Sequence, residues 1–136
     1  VGGRGERLRG LAVCRSPGLL VVVPPVSVPT GPAFGWLEGR DKGPRTDGDA
    51  VEAWLSGECD ELSLLHNSFE RPVAARFPEV AAALEALRAL GPRAALLSGS
   101  GSACLALFDD AEAASAAAAG WNLPARLSAC CTLSDF

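Results

Sequence analysis

Apolar positions along this chain fall into short runs. Leu19 to Val23 are five consecutive aliphatics bounded by Pro17-Gly18 and Pro24-Pro25. That reads as a buried strand, ended by residues that cannot donate to a ladder. Ala94 to Leu97 and Ala103 to Phe108 flank Ser98-Gly99-Ser100-Gly101-Ser102, the pattern of a hairpin. Leu127, Ala129, Cys131 and Leu133 alternate with Ser128, Cys130 and Thr132, as in a half-exposed strand. Val80, Leu84, Leu87 and Gly91 instead follow a ~3.6-residue period, which predicts a helix opened by Pro78 and closed at Gly91. Asp109-Asp110-Ala111-Glu112 has capping-box form ahead of an alanine-rich helix that runs through Ala119 and stops at Gly120. Asp47 or Asp49 caps a short helix through Trp54. Asn67 to Phe77 form another, with Pro72 tolerated only in the first turn.

The remaining segments are less regular. Leu8 to Val13 are a short apolar run, Val26 to Thr30 are extended, and Gly39 to Gly48 read as an exposed loop rich in Gly, Pro and charge. From Leu19 the order is strand, helical region, strand, strand, helix, strand. That is the split β-α-β pattern of an α+β, ferredoxin-like fold: an antiparallel sheet with helices packed on one face.

Composition narrows the function. With 136 residues, 49% hydrophobic and 21% charged, the chain holds one domain with a core. Eleven of its twelve basic residues are arginine, scattered in a chain of net charge −4. No extended basic face for nucleic acid is expected. No apolar run approaches the ~18 residues of a membrane helix, and the first residues lack the apolar segment of a secretory signal. The five cysteines, Cys14, Cys59, Cys104, Cys130 and Cys131, are odd in number and form no CxxC. Reduced thiols in a cytoplasmic protein fit them better than a disulfide framework. The chain has no methionine and opens on valine, which suggests either a segment of a longer protein or a start codon read as something other than methionine.

The Ser98–Ser102 turn is the richest candidate for chemistry. Gly99 and Gly101 can take positive φ and admit a ligand or another backbone closely, and the serines and amides can donate to an anion. A phosphate-facing turn and a plain mobile reversal both fit. A dinucleotide fingerprint would need glycine at Cys104, a P-loop would need a nearby lysine, and a nucleophile elbow would need glycine in place of Ser98. Phe34 and Trp36 are core anchors by pattern, or Phe34 stacks on a flat ligand ring. His66, the single histidine, reads as structural or exposed. Asp60-Glu61, Asp109-Asp110 and Asp135 read as caps or solvated charge, and Glu85 and Arg88 as solvated. No Ser/His/Asp set and no metal site emerges.

Four segments stand in a telling order: Gly3-Arg4-Gly5-Glu6-Arg7, Pro25-Val26-Ser27-Val28-Pro29-Thr30 with Phe34, Asn67-Ser68-Phe69-Glu70, and Leu97-Ser98-Gly99-Ser100-Gly101-Ser102-Ala103. In order and spacing they resemble the 4-diphosphocytidyl-2-C-methyl-D-erythritol kinases of the GHMP kinase superfamily. The likeness covers essentially the whole chain but only the C-terminal half of the family's length. It implies a GHMP kinase C-terminal domain over residues 1–136, with a remnant of the preceding domain at residues 1–16. It also implies a cytoplasmic enzyme of the non-mevalonate route to isoprenoid precursors. Such enzymes transfer the γ-phosphoryl group of ATP, with Mg2+ in the full-length enzyme, to the 2-hydroxyl of a cytidyl diphosphate sugar alcohol.

By the same resemblance, Thr30 and Phe34 hold the substrate, with the Phe34 ring against cytosine. Ser98, Gly99, Ser100 and Gly101 lie beside the phosphate cleft. The family's catalytic aspartate and lysine and its main phosphate loop belong to the N-terminal half. No catalytic residue is therefore assigned here, and the segment alone is expected to be inactive. Ser68 stands where the family commonly has aspartate. Another GHMP small-molecule kinase, or a non-catalytic ferredoxin-like ligand-binding module, is the alternative reading.

Overall fold

The computed structural model describes residues 10, 14, 16–41, 43, 48–59, 62 and 65–131. The Leu8–Val13 run (save Gly10), most of the residue 1–16 segment, Asp47, and Thr132 and Leu133 lie outside the described residues.

Four strands form one antiparallel sheet: β1 (Gly18–Val23), β2 (Ala94–Leu97), β3 (Cys104–Phe108) and β4 (Arg126–Cys131), in the order β2-β3-β1-β4. This is the ferredoxin-like order expected from the sequence. The aliphatic run of β1 sits at the centre, with Leu20 opposite Ala106 and Val22 opposite Cys104. Alternation then decides the faces: Leu20 and Val22 are buried, while Leu19, Val21 and Val23 are half-buried. Leu127 pairs with Val22, so it points to the core side, yet it is 40% exposed because β4 is an edge strand.

Two helices, α4 (Pro78–Ala89) and α5 (Ala111–Ala119), cover the core face. In α4, Pro78 occupies the first turn, and Val80, Ala83, Leu84 and Leu87 are buried. Gly91, at φ +72°, follows its C-terminus in a conformation that favours glycine. Truncating Leu84, which is fully buried, to alanine would cost about 2–5 kcal/mol. In α5, the capping aspartate is Asp110, its carboxylate accepting from the Ala113 amide at 2.8 Å. The expected capping box is therefore not made; Asp109 pairs instead with Arg93 at 3.2 Å. The helix lies so close to β1 that a Cβ on Gly18 would collide with the Asp110 carbonyl and the Ala114 methyl. The alanines permit that approach.

Three further helices and a 3₁₀ turn complete the described chain and correct part of the reading of the remaining segments. Thr30 is not extended but opens the helix α1 (Thr30–Phe34), anchored by the Ala33 amide on the Pro29 carbonyl at 3.1 Å. The Gly39–Gly48 stretch is not simply an exposed loop. Gly39–Asp41 form a 3₁₀ turn, Asp41 is only 4% exposed, and Gly48 begins the helix α2 (Gly48–Ser56). Asp41 is buried because Arg71 donates to its carboxylate at 2.6 Å and the Glu38 amide at 2.7 Å. That pairing spans 30 residues and leaves no local signature. The helix expected over residues 67–77 shrinks to α3 (Glu70–Ala74). Asn67 spends its side chain on an Asx turn to the Phe69 amide. At the other end Pro78 forces Phe77 into an extended conformation, which separates α3 from α4.

Candidate functional site

The C-terminal ends of β1 and β2 and the N-terminal ends of β3 and β4 share one end of the sheet, since Val22 pairs with both Cys104 and Leu127 and Leu97 pairs with Cys104. The glycine-rich turn, residues 98–103, crosses this end. It is closed by the Ser98 amide on the Ala103 carbonyl at 2.8 Å and the Gly101 amide on the Ser98 carbonyl at 3.0 Å. Gly99 at φ +56° and Gly101 at φ +92° occupy backbone conformations that favour glycine. A Cβ on Gly101 would also press on Leu97 Cδ1 at 3.2 Å and Val28 Cγ2 at 3.4 Å.

Side chains from distant segments tether this turn. Asn67 Nδ2 donates to the Leu97 carbonyl at 2.6 Å and to the Gly99 carbonyl at 2.8 Å. Glu70 accepts the Leu97 amide at 3.0 Å and is paired with Arg88 at 2.6 Å. Both backbone groups of Leu97 are thus satisfied from one segment, as a further strand would satisfy them. At the tip, the Thr30 and Ser100 hydroxyls are hydrogen-bonded at 2.9 Å. Ser102 reaches back to the Pro24 carbonyl at 3.4 Å.

Phe34, at the end of α1, is 62% exposed and rests edge-on against Phe69 with ring centroids 5.0 Å apart. Beside the turn an open cleft of about 810 Å³ is lined by Val23 to Val28, Gly101 to Ala103, Ala125 and Arg126. Arg126 is its basic side chain. A hydroxyl-rich turn next to a solvent-facing aromatic ring is an arrangement that can hold an anionic group and a flat ring together.

Residues 47–125 match the family described as GHMP kinases C terminal. The chain belongs to this family. It is 39% identical over 132 residues to the 4-diphosphocytidyl-2-C-methyl-D-erythritol kinase of Sphingopyxis alaskensis, a match covering 90% of this chain and 44% of that protein. It is 38% identical to the enzyme of the same name from Symbiobacterium thermophilum, covering 83% of this chain and 41% of that protein. The chain thus spans less than half the length of these relatives. A crystal structure of 4-(cytidine 5'-diphospho)-2C-methyl-D-erythritol kinase superposes with a TM-score of 0.76 at 33% identity, over 95% of this chain and 47% of that one. Homoserine kinase from Cytophaga hutchinsonii shares the fold, with a TM-score of 0.63 at 20% identity.

Within this GHMP kinase C-terminal domain the residues singled out from the sequence lie together. Thr30 touches Ser100, and Ser98, Gly99 and Gly101 complete the same turn. Phe34 is not core, as its pattern favoured; Trp36 is the aromatic that packs inward, against Phe77 at 5.9 Å and beneath the Arg76 guanidinium at 4.9 Å. Arg88 is not merely solvated, because it holds Glu70. His66 is exposed, its Nε2 3.0 Å from the Asp41 carbonyl oxygen. The roles of Asn67, Glu70 and Arg126 are not foreseen by residue type. The Asn-x-x-Glu spacing is the one signal available for the first two, since it presents two hydrogen-bonding side chains from one tight turn.

Cys104 lies under the turn with its thiol 3.5 Å from the Ser102 carbonyl. Burial, and then the nearby Glu70 charge, push its pKa up to about 12, so it is a neutral packing group. Among the described residues no three His, Cys, Asp or Glu side chains come together as a metal set. These described residues do not build a Mg2+ site. Among the described residues no helix is long and apolar enough to cross a membrane.

Proposed function

We propose that this chain is the C-terminal, substrate-side domain of an ATP-dependent 4-diphosphocytidyl-2-C-methyl-D-erythritol kinase, spanning residues 1–136 with the end of the preceding domain at residues 1–16. The observation that carries the reading is the Thr30–Ser100 hydrogen bond, which joins the segment bearing Phe34 to the glycine-rich turn. In this reading Phe34 stacks on cytosine and Thr30 holds the substrate beside it. Ser98, Gly99, Ser100 and Gly101 border the cleft that receives the phosphates, with ATP as phosphoryl donor to the 2-hydroxyl. Phosphoryl transfer depends on positioning and charge stabilisation. This domain contributes the positioning; the reacting groups come from the N-terminal half, as does any metal site.

The test is turnover with ATP and the cytidyl substrate, by the full-length kinase and by the 136-residue chain alone. The full-length protein is expected to turn over at roughly 1–100 per second, and the isolated chain not at all. Homoserine serves as the competing substrate. Phosphorylation of homoserine but not of the cytidyl compound, or comparable turnover by the isolated chain, overturns the proposal.

A further inference from the structure

We propose that Asn67 is a positioning residue that sets the glycine-rich turn and the Phe34 ring relative to each other. This rests on the function proposed above. An Asn side chain offers two donors and one acceptor group, and here each end is committed. Nδ2 donates to the carbonyls of Leu97 and Gly99, one at the entry to the turn and one within it. Oδ1 accepts the amide of Phe69, whose ring is the one Phe34 rests on. The assignment of amide oxygen and nitrogen is fixed by these partners, because two carbonyls demand donors and an amide demands an acceptor.

The contacts close a ring. Asn67 holds Gly99, Ser100 meets Thr30, Thr30 and Phe34 are the two ends of α1, and Phe34 returns through Phe69 to Asn67. Each member is held from two sides: the turn by Asn67 Nδ2 and by Thr30, the Phe34 ring by its place in α1 and by Phe69. β2 is an edge strand whose last residue would otherwise present unpaired groups. Asn67 and Glu70 take those groups, which makes the turn's path depend on side chains rather than on a further strand. Asn67 touches no ligand in this reading. It acts on phosphoryl transfer through the turn and on base binding through Phe69.

Asn67→Asp separates the two arms. The carboxylate still accepts from the Phe69 amide, but it loses both donors and sets an oxygen against two carbonyl oxygens. In the full-length kinase we expect amide hydrogen exchange over residues 98–102 to accelerate about tenfold or more. Exchange over residues 30–36 and in the β1–β3 core should stay within about twofold of wild type. The kcat should fall about tenfold with the KM for the cytidyl substrate nearly unchanged. Asn67→Ala releases both arms, so KM should rise as well; it also serves as the reading variant should the aspartate variant not fold. Unchanged exchange in the turn, acceleration spread evenly over the whole domain, or an opened turn with wild-type kcat each overturns the proposal. A wild-type protein that does not phosphorylate the cytidyl substrate refutes the function instead. The exchange pattern then decides the role of Asn67 by itself.

Discussion

Replacing Phe34 with alanine separates a ligand platform from a packing residue by magnitude. Phe34 is 62% exposed, and its described aromatic contact is the edge-to-face pair with Phe69 at 5.0 Å. Such a pair is worth about 0.5–1.5 kcal/mol, whereas truncating a core phenylalanine costs about 3–5 kcal/mol. The folded domain should therefore lose at most ~1.5 kcal/mol, a shift of a few degrees in Tm. Stacking on a base contributes about 1–3 kcal/mol, so the Kd for the cytidyl substrate should rise roughly 5- to 150-fold. ATP affinity should hardly move, because the proposed function sets the phosphates against the turn and away from Phe34. Titration calorimetry and thermal unfolding of the same full-length variant give both numbers. A folded variant with unchanged affinity for the cytidyl substrate refutes the stacking role. A stability loss above ~3 kcal/mol refutes the reading of Phe34 as a surface platform.

Other perturbations give equally direct readings. Gly99→Asn should be tolerated, since asparagine accepts φ near +56° and nothing lies within 4 Å of an added Cβ. Gly101→Ala, at φ +92° and pressed on Leu97 and Val28, should cost at least ~1–2 kcal/mol; equal costs by denaturant titration would contradict this account. The Arg71 hydrogen bond, and then the Glu38 amide, hold the Asp41 carboxyl below its ordinary 3.8. Its contribution to stability is thus complete above about pH 4 and disappears as pH falls through the lowered folded value. Asp41→Asn should lower Tm at neutral pH and flatten the acid limb, and parallel acid limbs in the two proteins would refute the pairing. Cys104, neutral and buried, should resist alkylation at pH 8 until the domain unfolds, while the exposed Cys14 reacts first. Mass spectrometry of the modified peptides distinguishes the two.

What the sequence revealed of this fold follows from the range of the forces involved. The strand at Leu19 to Val23, the helix from Pro78, and the hairpin at residues 94–108 are written in local periodicity and turn chemistry, and they appear as expected. The 3₁₀ turn at Asp41 escaped because its cause, Arg71, lies 30 residues away. An aspartate caps α5 as the pattern implies; it is Asp110, while Asp109 pairs with Arg93. The glycine-rich turn is visible as five small residues, but its hydrogen bond to Thr30, 70 residues away, leaves no local mark. The tethers from Asn67 and Glu70 were not visible. A side chain that replaces a missing strand looks, in sequence, like any polar residue ahead of a helix.

The most direct measurement is a structure of the full-length kinase with the cytidyl substrate and a non-hydrolysable ATP analogue. The account predicts the cytosine ring about 3.5–4.0 Å from the Phe34 face. It also predicts phosphates beside Gly99 and Gly101, with the Thr30–Ser100 and Asn67 hydrogen bonds intact. A base bound away from Phe34, or phosphates that bypass the residue 98–102 turn, would contradict it.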